Sequence, residues 1–126
     1  MKQIRIAMWS GPRNISTALM RSFENRSDTT VIDEPFYAYY LKETNFNHPM
    51  RNEILKNQES KWNKIISICS KKNFHGFLIC YQKHMSHHIF KNSDLSWLKN
   101  INNCILIRHP KYVINSYDKK YKLKDI

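Results

Sequence analysis

The chain has little glycine, little cysteine and no long apolar run. The three cysteines, Cys69, Cys80 and Cys104, are far apart and form no CxxC pair, so we expect buried free thiols in a reducing compartment. No apolar stretch approaches the ~20 residues of a membrane-spanning helix. A signal-peptide pattern is also missing, since the first apolar run begins at Ile4. These absences predict a cytoplasmic protein with no membrane partner.

Acidic residues are also scarce: 10 Asp and Glu against 21 Lys and Arg give a net charge of +11. Such a charge suits nucleic acid, anionic lipid or an anionic small molecule as a partner. The lysines are scattered, however, and the aromatic residues do not alternate with them as in a base-stacking surface. We therefore expect no nucleic-acid partner. A hydrophobic content of 41% predicts a single globular domain over residues 1–126.

Short apolar runs alternate with amphipathic segments along the chain. Strands are predicted at residues 4–9, 29–33, 77–81 and 104–107. Helices are predicted at residues 16–25, 59–71 and from Pro110 onward, with shorter helical or irregular segments near residues 36–41, 49–55 and 93–98. This alternation is typical of βαβ units, so the predicted fold class is α/β with a mostly parallel sheet.

The first predicted strand ends in a turn that favours binding of an anion. Gly11 and Pro12 interrupt the strand, and Ser16 or Thr17 is suited to cap the helix that follows. Backbone N–H groups at such a helix start point to one spot, and Arg13 adds a positive charge. A phosphate or a sulfonate is therefore the expected ligand.

This turn is not a Walker A loop, whose pattern is GxxxxGK[ST]. Gly11 and the pair Ser16-Thr17 keep the outer spacing, but the second glycine and the lysine before the hydroxyl residue are missing. The sequence therefore argues against hydrolysis of ATP or GTP.

Polar or charged residues follow each of the four predicted strands. They are Ser10 to Arg13, Asp33-Glu34, Lys83-His84 and Arg108-His109. Because ligands of parallel sheets bind beyond the carboxyl ends of the strands, we expect these groups to converge on one site.

Three segments resemble the sulfotransferase family. Pro12-Arg13-Asn14-Ile15-Ser16-Thr17 is similar to the family's loop for the 5′-phosphosulfate, and Arg108-His109-Pro110 with Ser116 is similar to its 3′-phosphate segment. Asp33-Glu34-Pro35-Phe36 resembles the Glu-Pro that follows the second strand in several members. The resemblance implies a three-layer α/β/α P-loop-like fold. Family members are considerably longer than this chain, so it also implies a fold that is incomplete at the C-terminus.

The resemblance further implies transfer of a sulfonate from 3′-phosphoadenylyl sulfate, as co-substrate, to a hydroxyl or amine of a small-molecule acceptor. The residues implied to bind the nucleotide are Gly11, Pro12, Arg13, Asn14, Ile15, Ser16, Thr17, Arg108 and Ser116. Arg13 stands where many relatives have lysine and would stabilise the leaving phosphate. Arg108 and Ser116 would hold the 3′-phosphate.

The acceptor also needs a general base. Glu34 is the first choice because it ends a strand on the expected ligand side, and a salt bridge to a lysine is its alternative role. His84 and His87 are the runners-up. Lys83 resembles the lysine of a Lys-x-His pair in some relatives, although Met85 stands in place of its histidine. The catalytic candidates are then Arg13, Glu34, Lys83 and His84.

His84 and His88 are four residues apart, a spacing that can chelate zinc on a helix, but no carboxylate or cysteine is close in sequence. We predict no metal site. Two other functions stay open at this point. One is a non-catalytic basic module that binds a nucleotide or polyanion, and the other is a P-loop small-molecule kinase relative.

Overall fold

The computed structural model of the protein describes residues 2–122. Four strands within this range form a parallel sheet. The strands are β1 (Ile4–Ser10), β2 (Thr29–Asp33), β3 (Ile79–Met85) and β4 (Asn102–Leu106). Their order in the sheet is β2-β3-β1-β4. The central strands β1 and β3 pair along their whole length, from Ile4 beside Ile79 to Ser10 beside Met85. Because all four strands are parallel, their carboxyl ends lie at one edge.

Five α-helices and two short 3₁₀ segments accompany the strands within residues 2–122. They are α1 (Ser16–Glu24), α2 (Tyr37–Thr44), α3 (Arg51–Asn57), α4 (Trp62–Ser70) and α5 (Pro110–Tyr121), with 3₁₀ turns at Ser86–His88 and Ser96–Asn100. The predicted α/β fold class with a parallel sheet is confirmed. None of these helices is long and apolar enough to cross a membrane.

Both faces of the sheet are covered by helical segments, because successive side chains of a strand point to opposite faces. On one face, Tyr81 of β3 stacks on Phe23 of α1 with 4.4 Å between ring centroids. On the other face, α4 and the segment Ser96–Asn100 close a buried core. Its members are Ala7, Phe36, Ile65, Cys69, Trp97 and Ile101. Each large side chain buried there stabilises the fold by about 1.5–3 kcal/mol.

Strand β3 differs from its prediction. The apolar run predicts a strand at residues 77–81, whereas β3 extends from Ile79 to Met85 and so contains Lys83 and His84. The three consecutive polar residues from Gln82 to His84 are buried in this central strand. Gln82 and Lys83 have partners in distant parts of the chain, and the ring of His84 lies against Gln82. Gln82, for example, donates from Nε2 to the carbonyl oxygen of Cys69 at 2.6 Å. Hydrophobic patterning does not detect a strand whose polar side chains are paired in this way.

Two of the three cysteines are buried, as expected. Cys69 and Cys80 are buried free thiols, and burial raises the pKa of Cys69 to about 12, which makes its thiol a poor nucleophile. The expectation is wrong for Cys104, which is exposed. The reason is its position on β4, which is an edge strand of the described sheet and pairs with β1.

His84 of β3 lies on the α4 face and is 1% exposed. Its ring stacks on Trp9 at 4.4 Å between centroids, and its Nε2 lies 3.0 Å from Oε1 of Gln82. Burial, together with the charge repulsion of the neighbouring His88, lowers the pKa of His84 to about 3. The folded protein therefore holds this imidazole neutral.

This burial predicts a specific acid sensitivity. In the unfolded chain His84 takes up a proton below a pKa of 6.5, whereas the folded chain keeps it neutral until its pKa of about 3. Between those values unfolding binds one extra proton, so the free energy of unfolding falls by about 1.4 kcal/mol per unit decrease in pH. We expect His84→Gln to remove this contribution, which urea unfolding at a series of pH values measures. Equal slopes for the variant and the parent protein would contradict the prediction.

Candidate active site

The loop between β1 and α1 is shaped by residues that are not glycine. Arg13 and Ile15 adopt left-handed φ angles of 61° and 62°. Such residues turn successive backbone N–H groups toward a common point and form an anion-binding concavity. The expectation of a hydroxyl cap is wrong, because the N-cap of α1 is Ile15. The hydroxyls of Ser16 and Thr17 are thereby left to other partners.

A small cavity of about 150 Å³ lies against this loop. It is lined by Arg13, Asn14, Ile15, Ser16, Thr17, Arg108 and Ser116. The first N–H groups of α1 belong to this lining, and a helix supplies no internal partner for them. The structure therefore brings together seven of the nine residues that the sequence analysis assigned to the nucleotide. Of the other two, Pro12 lines a larger neighbouring cavity, and Gly11 lines neither.

Two arginines connect the loop to the segment after β4. Arg108 donates from Nη1 to the carbonyl oxygen of Arg13 at 2.7 Å. Arg13 donates from Nε to Oγ of Ser116 at 2.9 Å. His109 is the N-cap of α5, and its Nδ1 accepts from the backbone N–H of Lys111 at 3.1 Å. The imidazole thus caps α5, a role often filled by Asp or Asn, and the helix start places Ser116 beside the loop.

Lys83 carries a buried ammonium group to the same loop from β3. Its residue is 6% exposed, and Nζ donates to Oγ1 of Thr17 at 2.8 Å. Two carboxylates lie on its other side, with Nζ 3.2 Å from Oδ1 of Asp33 and 3.9 Å from Oε2 of Glu34. A buried cation needs such partners, because burial without them is costly. The loop therefore receives from a neighbouring strand a lysine ammonium, the group that its own sequence lacks before Ser16.

Glu34 is held where the chain leaves β2. It has a left-handed φ of 46°, and its N–H donates to the carbonyl oxygen of Lys83 at 2.9 Å. Burial raises the pKa of Glu34, the Lys83 ammonium opposes this, and Asp33 raises the pKa again. A carboxylate with a raised pKa that faces a cavity is suited to accept a proton.

Comparison with known proteins assigns this arrangement to a family. A family model described as "Sulfotransferase domain" matches residues 4–126. The chain belongs to the sulfotransferase domain family. The expected membership of the chain in the sulfotransferase family is thereby confirmed.

Two plant proteins are similar to this sulfotransferase domain. Branched-chain-amino-acid aminotransferase-like protein 1 of Arabidopsis thaliana is 37% identical over 119 residues, and protein 2 of the same name is 33% identical over 118 residues. Each alignment covers 90% of this chain and 20% of the Arabidopsis protein, so the chain spans about one fifth of the length of these relatives. No solved structure matches the chain.

The three histidines between residues 84 and 88 of the sulfotransferase domain lie in two places. His84 is on the α4 face, away from the loop, so the structure does not bring it together with Arg13, Lys83 and Glu34. His87 and His88 line the larger cavity, and burial lowers the pKa of both, to about 3 for His88. Residues 2–122 contain no group of three or more His, Cys, Asp or Glu side chains that could hold a metal ion.

The larger cavity has a volume of about 890 Å³. It shares Arg13, Ser16 and Thr17 with the small cavity at the β1–α1 loop, which is called the anion cavity below after its expected ligand. Glu34 and Lys83 also line it. Much of its remaining wall is aromatic and was missed by the sequence analysis. These aromatic residues are Tyr37, Tyr40, Phe46, Tyr117 and Tyr121. Their sequence signal is weak, because tyrosines near a predicted helix are more often core residues than binding residues.

The contacts of Lys83 predict how Glu34 titrates. Lys83→Met removes the ammonium that lowers the pKa of Glu34 and leaves the repulsion from Asp33, so we expect this pKa to rise further. The measurement is a pH titration of the Glu34 carboxyl carbon by NMR. Lys64→Met is the matched control, since Lys64 is exposed on α4. A Glu34 pKa that is unchanged or lower in folded Lys83→Met protein would show that the ion pair has no such effect.

Proposed function

We propose that the sulfotransferase domain transfers a sulfonate group from 3′-phosphoadenylyl sulfate to a hydroxyl or amine of a small-molecule acceptor. The observation that carries this proposal is the junction of two cavities. One is small and carries two arginines, and the other contains Lys83 and the carboxylate of Glu34. A sulfonate at the junction would face the donor groups on one side and a proton acceptor on the other.

The residues of the anion cavity suit a nucleotide that carries phosphates at both its 5′ and its 3′ position. The N–H groups at the start of α1 and the guanidinium of Arg13 would hold the 5′-phosphosulfate. Arg108 and Ser116 would hold the 3′-phosphate through charge-assisted and hydroxyl hydrogen bonds. Arg13 is a planar fork that can hold two oxygens at once, which supports its role in place of lysine.

The acceptor residues suit a transfer in which the protein mainly positions groups and stabilises charge, as in phosphoryl transfer. Glu34 would accept the proton from the attacking hydroxyl or amine as the new S–O or S–N bond forms. Lys83 and Arg13 would stabilise the negative charge that the departing nucleotide phosphate gains. Glu34 and His87 both line the larger cavity, and Glu34 is favoured as the base because burial raises its pKa and lowers the pKa of His87. We leave His84 out of the proposal because it lies on the other face of the sheet.

The two alternative functions, a kinase relative and a polyanion-binding module, can each be distinguished from a sulfotransferase by ligand binding. A kinase relative would prefer ATP with Mg²⁺ to a nucleotide that carries a 3′-phosphate. A polyanion-binding module would show a steep dependence of affinity on salt concentration. The position of Arg108 on a segment separate from the loop favours two separated phosphates over either alternative.

The nucleotide proposal predicts selective binding of adenosine 3′,5′-bisphosphate, measured by calorimetric titration with 5′-AMP and Mg-ATP as competitors. We expect Arg108→Ala to weaken this binding by about 10- to 100-fold, since a hydrogen bond to a charged group contributes about 1.5–3 kcal/mol. Arg26→Ala is the matched control, because Arg26 is exposed and pairs with Asp28. Equal affinity for 5′-AMP and the bisphosphate would remove the 3′-phosphate site from the proposal.

If Glu34 is the general base, the Glu34→Gln variant should lose transfer activity and keep its affinity for the nucleotide. General base catalysis contributes about 100- to 10,000-fold, so kcat should fall by at least about 100-fold. Affinity for adenosine 3′,5′-bisphosphate should stay near that of the parent protein. Turnover is measured with a panel of small alcohols, phenols and amines. Unchanged kcat on an accepted substrate would assign the base to another residue, with His87→Gln as the next variant.

A further inference from the structure

Gln58 bridges the two sides of the turn that carries Glu34. Its Nε2 donates to the carbonyl oxygen of Glu34 at 3.0 Å. Its Oε1 accepts from the backbone N–H of Ala38 at 2.7 Å. One amide side chain therefore satisfies a carbonyl at the end of β2 and an N–H at the start of α2.

The N–H of Ala38 needs a partner from outside its helix. Ala38 is in the first turn of α2, where N–H groups have no partner inside the helix. The N-cap of α2 is Phe36, whose side chain cannot accept a hydrogen bond. Oε1 of Gln58 therefore caps α2 from a different segment of the chain.

The turn is also strained at Glu34. A left-handed φ of 46° is unfavourable for a residue with a Cβ atom, and it persists only where the surroundings hold it. The carbonyl oxygen of Glu34 accepts from the N–H of Tyr37 at 3.1 Å as well as from Gln58. Both contacts fix the peptide after Glu34, and this in turn sets the direction of its side chain.

Gln58 is itself anchored by α3. It is the C-cap residue of that helix, and its backbone N–H donates to the carbonyl oxygen of Ile54 at 2.9 Å. It is half-buried and lines a cavity of about 320 Å³ together with Glu34 and Tyr37. Helix α3 thus supports the turn after β2 through Gln58.

We propose that Gln58 is a positioning residue that holds the Glu34 carboxylate beside Lys83 and toward the larger cavity. The inference rests on the proposed function in one respect, namely that Glu34 is the base. Without the bridge, φ of Glu34 relaxes toward the ordinary range and the carboxylate turns toward solvent. The proton acceptor is then out of place, while the anion cavity, built from other residues, is unaffected.

The first test measures kcat and nucleotide affinity for Gln58→Met, which keeps the length of the side chain and removes both hydrogen bonds. We expect kcat to fall by about 5- to 10-fold, the effect of about 1 kcal/mol, with affinity for adenosine 3′,5′-bisphosphate unchanged. In a Glu34→Gln background the same substitution should cause no further loss. Asn52→Ala, an exposed amide on α3, is the control.

A second measurement does not depend on turnover. The pKa of Glu34, followed by NMR of its carboxyl carbon, is raised mainly by burial, so its release toward solvent in Gln58→Met should lower it toward the ordinary value. Several charged or ionisable groups face Glu34 or share its cavities. They are Asp33, Tyr37, Glu53, Lys83, Arg13, Tyr40, His48, His87, His88, Tyr117, Lys120 and Tyr121. Gln58→Leu also removes both hydrogen bonds without adding a charge, and serves as a second variant if Gln58→Met does not fold.

The outcomes separate this inference from the proposed function. If the parent protein transfers no sulfonate and the Glu34 pKa still falls in Gln58→Met, the proposed function fails and the positioning role stands. If the folded variant shows an unchanged Glu34 pKa, the positioning role is overturned. The positioning role is also overturned if Gln58→Met lowers kcat equally in the parent protein and in the Glu34→Gln variant. Gln58 would then act through another group.

Discussion

The buried ammonium of Lys83 is the interaction on which the site depends. A charge on a central strand must be paired, and its partners come from two segments: Thr17 at the start of α1, and Asp33 with Glu34 where the chain leaves β2. One side chain of β3 therefore ties both segments to its own strand. Both segments are strained, since left-handed residues lie near these contacts at Ile15 and at Glu34 itself. Strain of this kind is tolerated where the surrounding contacts hold the backbone.

Polar contacts also position the last helix. Helix α5 has no buried residue among those described, so apolar packing contributes little to its placement. Its position instead follows from the contacts of Arg13 with Ser116 and of Arg108 with the loop carbonyl. The residues proposed to bind the 5′-phosphosulfate and the 3′-phosphate are therefore hydrogen-bonded to one another. A displacement of Arg108 or Ser116 would move Arg13 as well.

Much of the fold could be predicted from the sequence, because apolar runs ending in polar residues mark parallel strands. Arg13, Glu34 and Arg108 follow their strands as expected, and the structure places them on adjoining cavities. The direction of His84 could not be predicted, because it depends on where β3 begins and ends, and buried polar partners hide that boundary. Gln58 could not be found either. Its role comes from the meeting of α3 with a turn distant in sequence, which no local pattern records.

The topology also has a consequence for synthesis of the protein on the ribosome. Strand β1 is made first, but its partners in the sheet are β3 and β4, and Ile4 pairs with Ile79. The β1–α1 segment must therefore leave the ribosome and wait without sheet partners until β3 has emerged. Pairing between such distant segments slows folding and lengthens the exposure of an apolar strand. The β1–α1 loop thus acquires its final shape late, when Arg108 and Ser116 reach it.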